Sequence, residues 1–339
     1  MASHRRPKQP SRARVTVLTA TAAAAVALTS QAAHADPKPT KEQVKAKVDK
    51  LYEQAEVATE KYNGAKEKQE QLQEQVEDLQ DKVARGQEEL NEMRNGLGAM
   101  ASAQYRNGGI DPSMQLLLSS DPDNYLERAS ALDQLTSKQA AALQKIAEKQ
   151  RTQQQQRTEA KEKLGELAET RKTLGEKKEQ IKGKLAKAQE LLNSLTAKER
   201  EALEAKERAN RNNERVNLGN DVPESQRAAV ALSAAQTKIG APYVWGATGP
   251  SSFDCSGLTS WAYAQAGVSL DRTSEAQANN GVRIGQSQLK PGDLVFFYGD
   301  LHHVGLYAGN GQVLHAPKPG ANVRYESINN MPFQFGVRI

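Results

Sequence analysis

From Lys41 to about Arg106 the chain has no proline, and apolar residues recur at alternating steps of four and three. The seam runs through Val44, Val48, Leu51, Ala55, Ala58, Tyr62 and Ala65, then Leu72, Val76, Leu79, Val83, Leu90, Met93, Leu97 and Met100, with Gln69 and Gly86 as a polar and an empty step. Such spacing keeps one narrow stripe on a single helix face, so it predicts a long coiled-coil helix. The pattern stops at Asn107-Gly108-Gly109-Ile110-Asp111-Pro112, and Asp121-Pro122-Asp123 offers a fresh start. A second proline-free stretch runs to about Arg211, its seam clearest from Leu164 to Leu195 and fading through Gln153 to Gln156. Two helices, about 41–106 and 123–211, are expected to fold back as an antiparallel hairpin, with a parallel homodimer as the competing arrangement. Alanine and polar residues at many seam positions predict a marginal seam. At 1.5 Å rise per residue the second helix would overshoot the hairpin base by roughly 30 Å and carry the remaining chain on that overshoot.

The pattern then changes. Residues 214–224 read as a polar linker, and 225–339 read as a globular domain that opens with a helix over about Ser225 to Ile239. All five phenylalanines and both tryptophans lie at or after Trp245, so the aromatic core belongs to this last third. Short β-like runs follow at Asp293 to Tyr298, His302 to Ala308, Gln312 to Ala316, Val323 to Tyr325 and Gln334 to Arg338. Helices first and strands afterwards indicate an α+β domain behind a helical hairpin that spans 36–213.

Charge and the extreme N-terminus adjust this picture. Arg5, Arg6, Lys8, Arg12 and Arg14 precede an apolar run from Val15 to Leu28 and then Ala33-His34-Ala35, the pattern of an export signal over residues 1–35. Those five residues are the whole basic excess of 46 over 41 acidic side chains, so the basic pI does not argue for nucleic acid. A secreted, extracellular or wall-associated protein is expected. Its one cysteine, Cys255, has no internal disulfide partner.

Cys255 is where the chemistry gathers. Leu258, Trp261, Ala262 and Ala266 follow it at helical spacing, which places the thiol in the first turn of a helix. Unpaired N–H groups and the positive end of the macrodipole favour thiolate there and offer donors to an oxyanion. A buried structural cysteine is the alternative. A cysteine nucleophile needs a base and a group to orient it. Past residue 35 the only histidines are His302, His303 and His315, all in two adjacent strands. His303 is the expected base. The turn at Gly309-Asn310-Gly311 decides whether His315 can help: a two-residue loop would put it on the opposite face, and a three-residue loop, pairing Ala308 with Gln312, would put it beside His303. The mechanism selects the three-residue loop. Cys255, His303 and His315 could also bind zinc, but no short-spaced ligand pair is present, and no metal or cofactor is expected.

The segments APYVWGATGP, FDCSGLTSWAY, DRTSEAQ, PGDLVFF, HHVGLYAGNG and VLHAP stand in this order over about residues 227 to 339. In them the chain resembles the NlpC-type cysteine peptidases of bacterial cell walls. The resemblance implies a papain-like α+β fold and cleavage of peptidoglycan stem peptides at the bond from γ-D-glutamate to a diamino acid. It implies Cys255 as nucleophile, His303 as base and His315 as third polar residue, with Tyr243, Asp254 and Ser256 binding the substrate's N-terminal end. Asp271 stands where relatives often have proline. The coiled coil resembles that of division-associated wall hydrolases, which implies a membrane transporter-like partner. The apolar tip residues Ile110, Met114, Leu116, Leu117 and Leu118 are the expected contact. The alternatives are a Cys-His amidase acting on another wall bond and a non-catalytic activator or scaffold.

Overall fold

A computed structural model describes residues 40–106, 114, 125–212, 218–219 and 221–339. The expected export signal, most of the hairpin tip and part of the linker lie outside the described residues. Helix α1 (Lys41–Arg106) begins at a reciprocal cap, in which Thr40 N–H donates to the Gln43 side chain and Gln43 N–H to Thr40 Oγ1. Helix α2 (Tyr125–Asn193) runs antiparallel to it within the same chain. Val44 and Val48 pack with Ala188 and Leu195 at the base, and Leu72 and Val76 pack with Leu167 further out. Within the chain the two helices thus pack as the expected antiparallel hairpin. The empty step at Gly86 has an occupant: Gln153 lies over it and donates to Val83 O at 3.2 Å, which is why the α2 seam turns polar there.

The expected second helix does not overshoot the base. It breaks at Ser194-Leu195-Thr196, and a short helix α3 (Ala197–Asn212) turns back so that Leu203 packs on the base cluster. The cause is local and readable. Thr196 and Glu199 form a capping box, Thr196 N–H donating to Glu199 Oε2 at 2.8 Å and Glu199 N–H to Thr196 Oγ1 at 3.3 Å.

The C-terminal part is the expected α+β domain. Helix α4 (Gln226–Gln236), capped by Ser225, and helix α5 (Cys255–Gln265), capped by Asp254, pack on one face of an antiparallel sheet. Its strands are β1 (Val282–Ile284), β2 (Leu294–Phe297), β3 (His303–Gly309), β4 (Gln312–His315), β5 (Arg324–Ser327) and β6 (Phe333–Arg338), in the order β1-β6-β2-β3-β4-β5. Alternation sorts the side chains. Leu294, Phe296, Val304, Leu306 and Leu314 face Leu258, Ala262 and Tyr263 of α5, while Val295, Phe297, Tyr307 and Val313 form a second cluster with Ile328 on the other face. Strand β1, Val-Arg-Ile, alternates over only three residues with its first two exposed, too short a pattern to be legible as a strand.

The β3–β4 turn corrects the loop expectation while preserving its consequence. Gly309 pairs with Gln312 across a two-residue turn in which Asn310 and Gly311 both have positive φ. A register shift between Tyr307 and Gly309 then inserts one residue, so Leu306 pairs with Leu314 and His315 falls on the face of His303. The bulge supplies the extra residue that a longer loop was expected to supply. Gly305 makes room, since a Cβ there would stand 2.9 Å from the Cβ of His315.

Candidate active site

Helix α5 starts at Cys255 because Asp254 caps it, Oδ1 accepting the Gly257 N–H at 2.7 Å. Asp254 is buried, and it also accepts from Gly246 N–H at 3.0 Å and holds an ion pair with Arg272 at 2.6 Å. Arg272 in turn donates to Ser256 Oγ at 2.8 Å. Asp254 therefore also has a structural duty as helix cap and ion-pair partner, and Arg272 is a member of the site that the sequence did not single out. The sulfur of Cys255 faces His302 O at 3.7 Å, so the strand that carries His303 begins beside the thiol. His302 itself stacks on Tyr298 and pairs with Asp300, away from the two other histidines.

The histidines form a relay. His303 Nε2 meets His315 Nδ1 at 2.7 Å, and His315 Nε2 meets Glu326 Oε2 on β5 at 3.3 Å. Proton placement follows from the ends. Glu326 is held well below the usual carboxylate range: burial works against this, but hydrogen bonds from His315 and Arg324 outweigh it. A carboxylate at that end keeps a proton on His315 Nε2, which leaves Nδ1 as the acceptor for His303 Nε2–H. Burial holds His315 down to about 4, so its ring stays neutral. The free lone pair of the relay is then His303 Nδ1, on the side of the thiol. Glu326 was not singled out from the sequence, where it is one acidic residue in a short strand.

The cleft is filled by the hairpin. With α1 in place the Glu56 carboxylate, an acceptor only, faces His303 Nδ1 and requires that nitrogen to donate, so the lone pair that would receive a thiol proton is no longer free. Glu60 accepts Ser256 Oγ–H at 2.8 Å through Oε1 and Ser274 N–H at 2.6 Å through Oε2, with Oε1 3.7 Å from the sulfur. Asn63 Nδ2 donates to Asp254 Oδ2 at 3.0 Å, and Tyr62 meets the edge of Trp245 at 5.3 Å. Lys318 Nζ pairs with Asp49 at 2.7 Å at the margin. Beyond Glu56 a groove of about 530 Å³ between α1 and the sheet still reaches His303 and His315.

This occupancy reverses the expected state of the thiol. A helix start favours thiolate, and the Ser256 N–H works in that direction, but burial above all, then Glu60, Glu56 and Asp254, push Cys255 well above the usual thiol range. The same carboxylates and burial push up the hydroxyl of Tyr243, which is buried with no hydrogen-bond partner among the described residues. Glu56, Cys255 and His303 each place one possible metal-ligand atom within 4.8 Å of the others. This thiol, imidazole and carboxylate set suits zinc chemically, and it exists only while α1 is docked.

Residues 240–337 match the model of the NlpC/P60 family. A protein of Corynebacterium glutamicum named a probable endopeptidase is 50% identical over 124 residues, which cover 35% of this chain and 59% of that protein. The probable endopeptidase p60 of Listeria monocytogenes is 51% identical over 100 residues, covering 29% of this chain and 20% of the relative. The crystal structure of the NlpC/p60 domain of peptidoglycan hydrolase SagA is 38% identical, with a TM-score of 0.32, over 33% of this chain and 98% of that one. The chain thus spans little more than half of the first of these curated relatives and a fifth of the second, and the family match falls on the domain that carries Cys255 and the relay. Over residues 240–337, then, the C-terminal part of the chain carries an NlpC/P60 domain.

Proposed function

We propose that this protein is a secreted peptidoglycan hydrolase that cleaves wall stem peptides between D-γ-glutamate and the diamino acid. The observation that carries this reading is the relay from Glu326 through His315 and His303, which ends on a lone pair beside Cys255 at a helix N-terminus. With α1 withdrawn, His303 Nδ1 takes the thiol proton and the thiolate attacks the scissile carbonyl. N–H groups of the first turn of α5 face the oxyanion. The imidazolium then returns its proton to the leaving amine, and water releases the acyl group by the same path. Tyr243, Asp254 and Ser256 receive the N-terminal end of the peptide, Asp254 Oδ2 being the acceptor that Asn63 now covers. The names of the relatives, endopeptidases and a peptidoglycan hydrolase, support the substrate class.

The hairpin is the regulatory part of this reading, and an envelope partner acting on its tip is the proposed trigger. Leu116, Leu117 and Leu118 lie outside the described residues; nearby, Tyr105 and Leu126 are exposed.

Mass spectrometry of products from one defined muropeptide tests the reading. Cleavage at the γ-glutamyl bond, lost in Cys255→Ala and indifferent to a chelator, is the expected result. Release of the intact stem peptide from muramic acid would instead identify an amidase, and chelator-sensitive cleavage would replace the relay with a metal.

A further inference from the structure

The contacts of α1 in the cleft come in a definite order. Asn63 offers an N–H to Asp254, Glu60 sets a carboxylate between Ser256 Oγ and Ser274 N–H beside the sulfur, and Glu56 covers the base. Steps of four and three put residues 56, 60 and 63 on one helix face, next to the seam that passes through Ala55 and Ala58. All three are polar and buried, with 6%, 8% and 2% of their surface exposed. Burying such groups is costly unless each is matched; each is matched by a group of the cleft, and Asn63 Nδ2 also donates to Glu60 Oε1 at 3.3 Å on the helix itself.

That order matches the proposed substrate. A stem peptide with a free N-terminus brings a cationic amine to Asp254. A γ-linked glutamate keeps its α-carboxylate free, close to the scissile amide. We propose that Glu56, Glu60 and Asn63 make α1 an intramolecular pseudosubstrate, presenting a donor and a carboxylate where the cleft receives the amine and the α-carboxylate of a stem peptide. The proposal rests on the peptidase reading above.

Three further features fit this role. Glu60 brings a carboxylate and no scissile amide to the sulfur, so α1 cannot be turned over. Its charge and that of Glu56 keep the thiol protonated while the helix is bound. The imitation is also incomplete, because Tyr243 OH and Ser274 Oγ stay buried without partners among the described residues. A peptide that satisfies those hydroxyls gains hydrogen bonds that the helix lacks, and so can displace it.

The single native cysteine makes a direct test possible. Thr59→Cys in a Cys255→Ala background places one reporter thiol on α1 at a position only 1% exposed while the helix is docked. The probe is the dipeptide L-alanyl-γ-D-glutamate. It is expected to raise the maleimide labelling rate of the full chain saturably, by about tenfold or more. Adding Glu60→Ala should raise the rate with no dipeptide present. N-acetylation of the dipeptide, or amidation of its α-carboxylate, should remove the effect. Calorimetric binding of the dipeptide without faster labelling would overturn the proposal, as would equal effects from the acetylated and amidated forms. Muropeptide cleavage by Glu60→Ala with Cys255 intact separates the two failures. Cleavage with a silent reporter discards the pseudosubstrate alone, and absence of both cleavage and dipeptide binding discards the peptidase reading together with it.

Discussion

Two carboxylates meet the ends of one pair of histidines, and they come from different regions of the molecule. Glu326 belongs to the C-terminal domain, where Arg324 on the same strand holds it at 2.8 Å. Glu56 belongs to the hairpin and reaches His303 across 247 positions of sequence. Chemically the contacts are alike, a carboxylate oxygen against a ring nitrogen, but their consequences are opposite. At the His315 end the carboxylate fixes a tautomer and leaves His303 Nδ1 free to act as a base. At the His303 end it occupies that same atom. What a buried carboxylate does to a histidine therefore depends on which nitrogen it meets and on whether it can leave.

Opposite signs are the largest expected effect. Glu326→Gln should lower kcat by about tenfold or more, because an amide no longer holds the proton on His315 Nε2. Glu56→Ala should raise muropeptide cleavage by the full chain by about tenfold, since it removes a buried charged contact that only the closed form makes. Glu56→Gln should stay nearer the parent, as its amide can still donate to His303 Nδ1. Steady-state rates on one muropeptide check all three variants, and a loss of activity in Glu56→Ala would make Glu56 a member of the relay instead of its obstacle.

A smaller effect concerns pH. Burial, then Asp254, raise Glu60 to about 7 against the contributions of Ser274 N–H, Ser256 and Arg272. A carboxyl whose proton is held more tightly in the docked form stabilises docking fully below its ordinary value of 4.5 and loses that contribution as pH rises through about 7. The charged and titratable groups around it are Asp254, Arg272, Cys255 and Tyr243 of the domain and Glu56 on its own helix. Labelling of the Thr59→Cys reporter, normalised to a free thiol, should climb through that window, and Glu60→Gln should flatten the climb. A slope unchanged in Glu60→Gln would assign the pH response to another of these groups.

Much of the domain side was legible. The spacing after Cys255 gave the helix, the two strands gave His303 and His315, and the need for both on one face was stated correctly although a bulge at Gly309, not a longer loop, provides it. Glu326 was hidden because it meets His315 as a diagonal neighbour across β4 and β5, in a register that no turn signal in the sequence announces. The helix break at Thr196 was readable as a capping box but was masked by the surrounding helical pattern. The hairpin side could not be read in the same way. Glu56 and Glu60 sit in a helix crowded with glutamate, where a solvated face is the ordinary outcome, and only the turn back at α3 brings the domain onto them. For the same reason the thiol was expected to be ionised: the helix start was visible, and the two incoming carboxylates were not.

The central claim is that α1 keeps Cys255 unreactive, and the alkylation rate of that single thiol by iodoacetamide tests it most directly. In the full chain at one fixed pH, Glu56→Ala combined with Glu60→Ala should be alkylated at least about tenfold faster than the parent, with the helical circular dichroism unchanged. Equal rates in two equally well-folded proteins would contradict it, and the hairpin would then be a tether and not a lock.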